Sequence, residues 1–297
     1  MNRTNKSYLF AGVAIFFWST VATAFKIALR EFDFIQLIFY ASAITLIILF
    51  LFLLFQKKTG LLFRQSQKEI LSSMVLGALN PLLYYLILFK AYSLLPAQMA
   101  QPLNMTWAIV LAILSVPLLG QKIGWMSFVA LFISFIGVVF ISSQGSVSGF
   151  ENTNWRGVLL ALSSSLIWAI YWIFHVRDQR DQIVKLFLNF FFGTLYLFPV
   201  VWLFSTFKFE AGTSFYSVVY IGFFEAGITY ILWLKALELS TNNAKTGTLV
   251  FVAPFISLIF IHFILKETIY ISTFIGLIFI VAGVLLQQSD RYRNNLL

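Results

Sequence analysis

The chain contains no cysteine, which excludes disulfides, thiol nucleophiles and metal sites built on thiolates. It holds only two histidines and 11 acidic residues, and these are scattered along the sequence. Membrane-embedded enzymes usually need clustered carboxylates or histidines to hold a metal or activate a nucleophile. No glycine-rich loop of the kind that cradles phosphates is present either. We therefore expect no metal, no cofactor and no ATP-driven step, and an embedded enzyme is the less favoured alternative.

Charge is also scarce. Only 10% of the residues are charged and 60% are hydrophobic, whereas about a quarter of the residues in ordinary soluble domains are charged. A soluble core of this size could not hide so much apolar surface, so lipid must be the solvent. The net charge of +9 comes from residues in short loops between apolar runs, which indicates orientation in a membrane and not a nucleic-acid partner.

Ten apolar runs are each long enough for the roughly 20 residues that a helix needs to cross the hydrocarbon. They cover 7–29, 33–55, 70–92, 96–119, 122–143, 155–176, 183–206, 213–237, 241–265 and 268–288. Open strands are not tolerated in lipid, and no segment alternates like a barrel strand. The sequence therefore predicts an all-α integral membrane protein with ten transmembrane helices.

The two halves of the chain repeat each other. Residues 85–91 read YLILFKA and residues 230–236 read YILWLKA, and the early tryptophans Trp18 and Trp168 occupy matching places. The repeats, 7–143 and 155–288, hold five predicted helices each, so the second must insert with the opposite orientation. Inverted repeats are typical of secondary transporters, whose substrate site lies between the halves near the membrane midplane.

With the N-terminus in the cytoplasm, most of the 20 lysines and arginines fall on the cytoplasmic side. We therefore expect a multi-pass protein of the bacterial cytoplasmic (inner) membrane with both termini cytoplasmic. Residues 22–24 have the small-residue spacing of a signal-peptide cleavage site. The apolar run continues to Leu29, however, and has a repeat partner, which favours a retained first helix.

Several short motifs recur in both halves. Ala253-Pro254, ILKET at 264–268 and AGV at 282–284 follow one another in the second half, and LLGQKI at 118–123 and IGV at 136–138 echo them in the first. With the paired tryptophans, this order resembles the EamA-type branch of the drug/metabolite transporter superfamily. The resemblance implies a ten-helix basket that moves amino acids, nucleosides or other metabolites, often outward. The first half has Gln121 where the second has Glu267, so a carboxylate role there is not symmetric.

Glu225 is the clearest candidate for a functional side chain, because charged groups inside the hydrocarbon are rare and usually face the bundle interior. Its repeat partner is Asn80, and a helix-disrupting residue follows each: Pro81 directly after Asn80, and Gly227 two residues after Glu225. Paired interruptions in corresponding helices indicate a transporter's binding site. A carboxylate in a low-dielectric cavity resists ionisation, so Glu225 is predicted to couple transport to protons. Alternatively, both side chains only join helices by hydrogen bonds.

Other polar and aromatic side chains extend the predicted substrate site. Amides recur every three residues in the fourth helix and supply donors and acceptors. The predicted substrate-binding residues are Asn80, Tyr84, Gln98, Gln101, Asn104, Trp107, Ser164, Trp168, Glu225 and Tyr230, with Tyr85 and Trp233 also placed to line a cavity. Polar packing between helices is the alternative.

Two other side chains are expected to lie outside the site. Lys26 is expected to extend to the headgroups. His175 is expected to lie in solvent, beside a salt-bridged loop that contains Asp178 and Asp181.

Together these features predict a secondary-active, alternating-access transporter of a small polar metabolite, with an exported amino acid or related compound as the first expectation. A nucleobase, nucleoside or cationic drug would satisfy the same groups. The expected partners are the small-molecule substrate and membrane lipid, with the chain a monomer or weak homodimer.

Overall fold

The computed structural model describes residues 3–120, 125–208, 212–241 and 243–294, with the side chains of 119, 127, 147, 148, 150, 243–245 and 290–294 not described. Gln121, named above, lies outside these residues. The described ranges contain ten membrane helices: α1 Arg3–Ala28, α2 Phe34–Phe55, α3 Gln67–Leu94, α4 Ala97–Leu119, α5 Trp125–Ser142, α6 Trp155–Arg177, α7 Gln182–Phe204, α8 Thr213–Leu239, α9 Asn243–Leu265 and α10 Ile271–Asn294. In the described part of the chain, nine of these are long and apolar enough to cross a membrane, and α5 contributes the shorter apolar stretch Phe128–Ser142. The all-helical membrane fold predicted from the sequence is confirmed.

Hydrogen bonds between loops group the helix ends into two sets. At one end, Arg3 donates to the carbonyl of Glu238 (2.9 Å) and Lys58 pairs with Asp181 (2.6 Å). At the other, Gln36 donates to the carbonyl of Thr206 (2.8 Å). We call these the inner end and the outer end, after the predicted orientation. Successive helices therefore run in alternating directions between the two ends.

Four helices are interrupted within the part of the chain that the structure describes. The backbone of α3 leaves helical geometry at Asn80 (φ −145°, ψ 118°), and α8 stops at Phe224 and resumes at Ile228. Both interruptions lie where the sequence predicted them. The other two, between Asn104 and Trp107 in α4 and a 3-10 stretch Leu249–Val252 in α9, were not predicted. They form a second repeat-related pair, so all four breaks lie in corresponding helices of the two halves.

Glycines show how the halves are related. A Cβ at Gly137 of α5 would lie 2.5 Å from the carbonyl oxygen of Gly276 in α10, and a Cβ at Gly283 would lie 2.6 Å from the carbonyl oxygen of Ala130 in α5. Gly137 and Gly283 are repeat partners, so the same contact is made twice in opposite directions. Only residues without a side chain allow backbones to approach so closely. The last helices of the two halves therefore pack as a symmetric, backbone-to-backbone pair.

Candidate functional site

A cavity of about 550 Å³ lies between the two halves, a size typical of small-molecule sites. Its walls come from α1, α3, α4, α6, α8, α9 and α10, including the four interrupted helices. Most of the residues predicted from the sequence line it: Tyr84, Gln101, Asn104, Trp107, Trp168, Glu225 and Tyr230. Their role in binding stays a prediction, but the structure brings them to one space.

The cavity reaches the inner end and stops short of the outer end. Leu237, Gln287 and Gln288, near the inner ends of α8 and α10, belong to its lining. Toward the outer end the lining finishes at Phe25 and Tyr92, whose ring centroids are 5.2 Å apart. The cavity is therefore accessible from the inner side and covered on the outer side.

Glu225 lies at the interruption of α8, directly after the first helical segment ends at Phe224 and before the second begins at Ile228. Its carboxylate accepts a hydrogen bond from the hydroxyl of Tyr85 (3.0 Å), and its backbone carbonyl accepts one from the indole nitrogen of Trp18 (3.1 Å). Among the described residues, no lysine or arginine forms an ion pair with it. The carboxylate is thus held in position by a tyrosine while its charge is left without a protein counter-ion.

Six aromatic side chains form a continuous wall beside Glu225. Ring centroids are 5.4 Å apart for Trp233 and Trp18, 6.3 Å for Trp18 and Tyr230, 6.3 Å for Tyr230 and Trp172, 6.0 Å for Trp172 and Trp168, and 4.7 Å for Trp168 and Tyr84. We call this series the aromatic arc. It joins helices of both halves around one space.

Sequence reasoning did not place Trp18 or Trp172 among the predicted site residues. The signal for Trp18 was available, because it is the repeat partner of Trp168, which was predicted to bind. In the structure Trp168 packs against Tyr84 of α3, and Trp18 packs against Tyr230 of α8. Each tryptophan therefore touches the interrupted helix of the opposite half, as inverted symmetry requires.

The amides of α4 have different surroundings. Asn104 accepts from the hydroxyl of Tyr84 (3.3 Å) and donates to the hydroxyl of Ser164 (2.8 Å). Ser164 lies outside the lining and positions Asn104 from behind. By contrast, Oε1 of Gln101 is buried with no hydrogen-bond partner, and so is the hydroxyl of Tyr230. Since buried polar groups are normally paired, these two atoms of the lining are candidates for contact with a solute.

Asn80 and Gln98 also lie outside the cavity lining. Asn80 is buried at the α3 interruption. Gln98 lies at the outer end of α4, where its side chain donates to the carbonyl of Thr268 (2.7 Å) and accepts from the amide of Tyr270 (3.1 Å) and the hydroxyl of Thr273 (3.2 Å). Gln98 therefore connects α4 by hydrogen bonds to the loop before α10 and to the first turn of α10.

Lys26 and Glu267 complete a network at the same place. Lys26 donates to the carbonyls of Tyr92 and Leu95 (both 3.0 Å), and the carboxylate of Glu267 accepts from the amides of Ala97 and Gln98 (3.0 and 3.3 Å). The expectation that Lys26 extends to the headgroups is wrong, because unpaired carbonyls at the end of α3 are nearer partners. We call Lys26, Gln98 and Glu267 the outer closure, since they join α1 to the end of α3, and the start of α4 to the α9–α10 loop, above the cavity.

At the inner end, loop charges are paired as the sequence predicted. Arg180 forms an ion pair with Asp178 (2.5 Å), and Lys58 with Asp181. Burial opposes ionisation of Asp178, but the hydrogen bonds and charge of Arg180 outweigh it and lower the pKa of Asp178.

The expectation that His175 lies in solvent is wrong. The side chain is buried, with its ring against Tyr171. In the described part of the chain, no three His, Asp or Glu side chains are grouped to hold a metal ion.

Comparisons with known proteins agree with this architecture. The model of the EamA-like transporter family matches residues 5–143 and 155–287. An uncharacterized transporter of Archaeoglobus fulgidus is 25% identical over 296 residues, which cover 97% of this chain and 99% of that protein. The uncharacterized transporter YvbV of Bacillus subtilis is 24% identical over 72% of this chain and 70% of its own length. One solved crystal structure has the same fold, with a TM-score of 0.68 at 19% identity over 98% of this chain and 99% of that chain.

Proposed function

We propose that this chain, which belongs to the EamA-like transporter family, carries a small amine-bearing metabolite, an amino acid or a related compound, out of the cell by alternating access. Membrane transport follows from the family. The observation that supports the finer proposal is the central cavity, which is covered at one end only and contains a carboxylate with no ion-pair partner among the described residues. In the proposed orientation, with both termini cytoplasmic, the structure is an inward-facing state ready to receive a solute from the cytoplasm.

The interrupted helices supply a way to change which end is open. All four contribute to the cavity wall, and each has a point where backbone hydrogen bonds are already missing or altered. Bending at such points needs less disruption than bending a regular helix. Movement of the outer halves of α3 and α4 away from α1 and the α9–α10 loop would break the outer closure and open the other side.

Glu225 is proposed to couple this movement to protons. It can hold a proton when the cavity is empty and release it when an ammonium group arrives, because an opposite charge favours the ionised form. Its repeat partner Asn80 cannot titrate and lies outside the lining. The proton cycle is therefore asymmetric between the halves.

Two experiments test the proposal. The first compares intracellular and extracellular metabolites with and without expression, followed by counterflow of the affected compounds in reconstituted vesicles. Saturable counterflow is expected; linear, unsaturable flux would contradict a carrier, and turnover without transport would indicate an enzyme. The second fuses a reporter active only in the periplasm after Ser148 or after Leu297. Activity at the first site alone is expected, and the reverse pattern would contradict the orientation.

A further inference from the structure

The charges of the cavity lining are one-sided. Among the side chains that the structure describes, the lining contains one acidic residue, Glu225, and no lysine or arginine. A buried ion is tolerated only when it is paired or hydrogen-bonded. An ammonium group entering the cavity meets a carboxylate with no protein counter-ion, whereas a carboxylate entering it meets the same negative charge. The cavity is thus matched to a cation and mismatched to an anionic group.

The lining atoms without a hydrogen-bond partner also favour a cation. Oε1 of Gln101 accepts hydrogen bonds, and the hydroxyl of Tyr230 can accept them; neither has a partner, and both residues are at least nine-tenths buried. Together with Glu225 they offer hydrogen-bond acceptors from α4 and α8 to one cavity. A protonated amine carries up to three N–H donors, which is the complement of this set.

The aromatic arc adds a third feature. Faces of indole and phenol rings attract a cation near the ring centroid, and tryptophan does so most strongly. Four of the six rings in the arc are tryptophans, and Trp18 also donates to the backbone of Glu225. The same rings offer stacking surface to an aromatic solute. A solute with a ring and an ammonium group would use both.

Resting on the transport function proposed above and narrowing its solute class, we infer that the solute is a monocationic organic amine without a free carboxylate, of arylalkylamine size. It would thus be one of the compounds related to amino acids, and not a zwitterionic amino acid itself. The recognition elements are Glu225, the acceptors of Gln101 and Tyr230, and the aromatic arc. A free carboxylate on the solute would meet no basic side chain among the lining residues that the structure describes, so its presence should weaken binding.

The inference is tested with four compounds that share a phenol ring: tyramine, tyrosine, tyrosine methyl ester and N-acetyltyramine. Each is used in counterflow with the full-length protein in vesicles at a pH where the amines are protonated, with protein-free vesicles as the blank. Tyramine and the methyl ester are expected to half-saturate transport at concentrations about 10- to 100-fold lower than tyrosine. N-Acetyltyramine, which has no cation, is expected to be inactive. In Glu225→Gln the difference between tyramine and N-acetyltyramine should disappear.

Other outcomes separate this inference from the proposed function. If tyrosine is carried as well as tyramine, the inference is overturned while the carrier function stands. If N-acetyltyramine is carried as well as tyramine, the cation is not recognised and the inference is again overturned. If none of the four is carried, the inference is overturned, and the metabolite comparison alone decides whether the protein is a carrier of another solute.

Discussion

Removing the side-chain amide of Gln98 should open the outer end of the cavity. In the wild type this amide makes three hydrogen bonds to residues 268, 270 and 273. Each such bond contributes about 0.5–1.5 kcal/mol net, so Gln98→Ala should cost the closed state about 2–4 kcal/mol relative to an open state in which water replaces the partner. Since 1.4 kcal/mol is tenfold in an equilibrium constant, the balance should shift by about 30- to 700-fold.

The absence of cysteine makes this shift measurable. A single cysteine introduced as Ala22→Cys lies in the cavity wall, on the inner side of the Phe25 and Tyr92 rings. A membrane-impermeant maleimide added outside intact cells should label it slowly in the otherwise wild-type protein. With Gln98→Ala added, labelling should be at least about tenfold faster, because the outward-open population is larger.

Gln36 offers a matched control. It also lies at the outer end and hydrogen-bonds across helices, from α2 to Thr206 after α7, but it does not line the cavity. Gln36→Ala should therefore cost stability without changing the labelling of the cysteine at position 22. Equal labelling rates in the Gln98→Ala and Gln36→Ala proteins would refute the assignment of Gln98 to the outer closure.

Three further predictions follow from other contacts. Glu225→Gln keeps the shape and the hydrogen bond to tyrosine but removes the proton exchange, so pH-driven net transport should vanish in vesicles while folding persists; a wild-type pH profile would leave Glu225 a packing group. Gly137→Ala places a methyl group against a backbone carbonyl and should destabilise the protein by about 1–3 kcal/mol in a detergent melting assay. Gly12→Ala, whose added methyl group meets nothing within 4 Å, should leave the stability unchanged. Equal melting temperatures for the two variants would contradict this. Arg180 lowers the pKa of Asp178, so the stability that the pair supplies is complete above the ordinary aspartate pKa and is lost as pH falls from that value through the lowered pKa. Melting curves of Asp178→Asn in acid should lack that loss, and curves identical to the wild type would show that the pair adds nothing.

The membrane helices and their inverted order were predictable because hydropathy and repeat matching act over whole segments. The interruptions of α3 and α8 were also predictable, since Pro81 and Gly227 disrupt helices by local chemistry alone. The break in α4 was not predicted, although Pro102 precedes it by two residues. Proline can be accommodated in a membrane helix when neighbours satisfy the freed groups, so its presence does not decide where a helix breaks.

Side-chain roles within α4 show the limit more clearly. Gln98, Gln101 and Asn104 recur with one spacing, and the sequence assigned them one role. The structure separates them, because Gln98 lies at the first turn of α4 and meets the loop before α10, while the other two face the cavity. Depth along the helix and the path of a distant loop determine this difference. Neither can be derived from spacing along one segment.

The glycine contacts between α5 and α10 affect how the molecule can move. Each contact brings a Cα against a carbonyl of the other helix, and it occurs at two places related by the repeat. Sliding either helix along the other would force residues with side chains into those positions, so we expect α5 and α10 to move together as one rigid pair. This helix pair joins the two halves, so any rotation of one half against the other would have its axis beside the pair. Bilayer thickness acts on the tilt of membrane helices, so in the proposed alternating-access cycle the lipid would bias the balance between the two facing states.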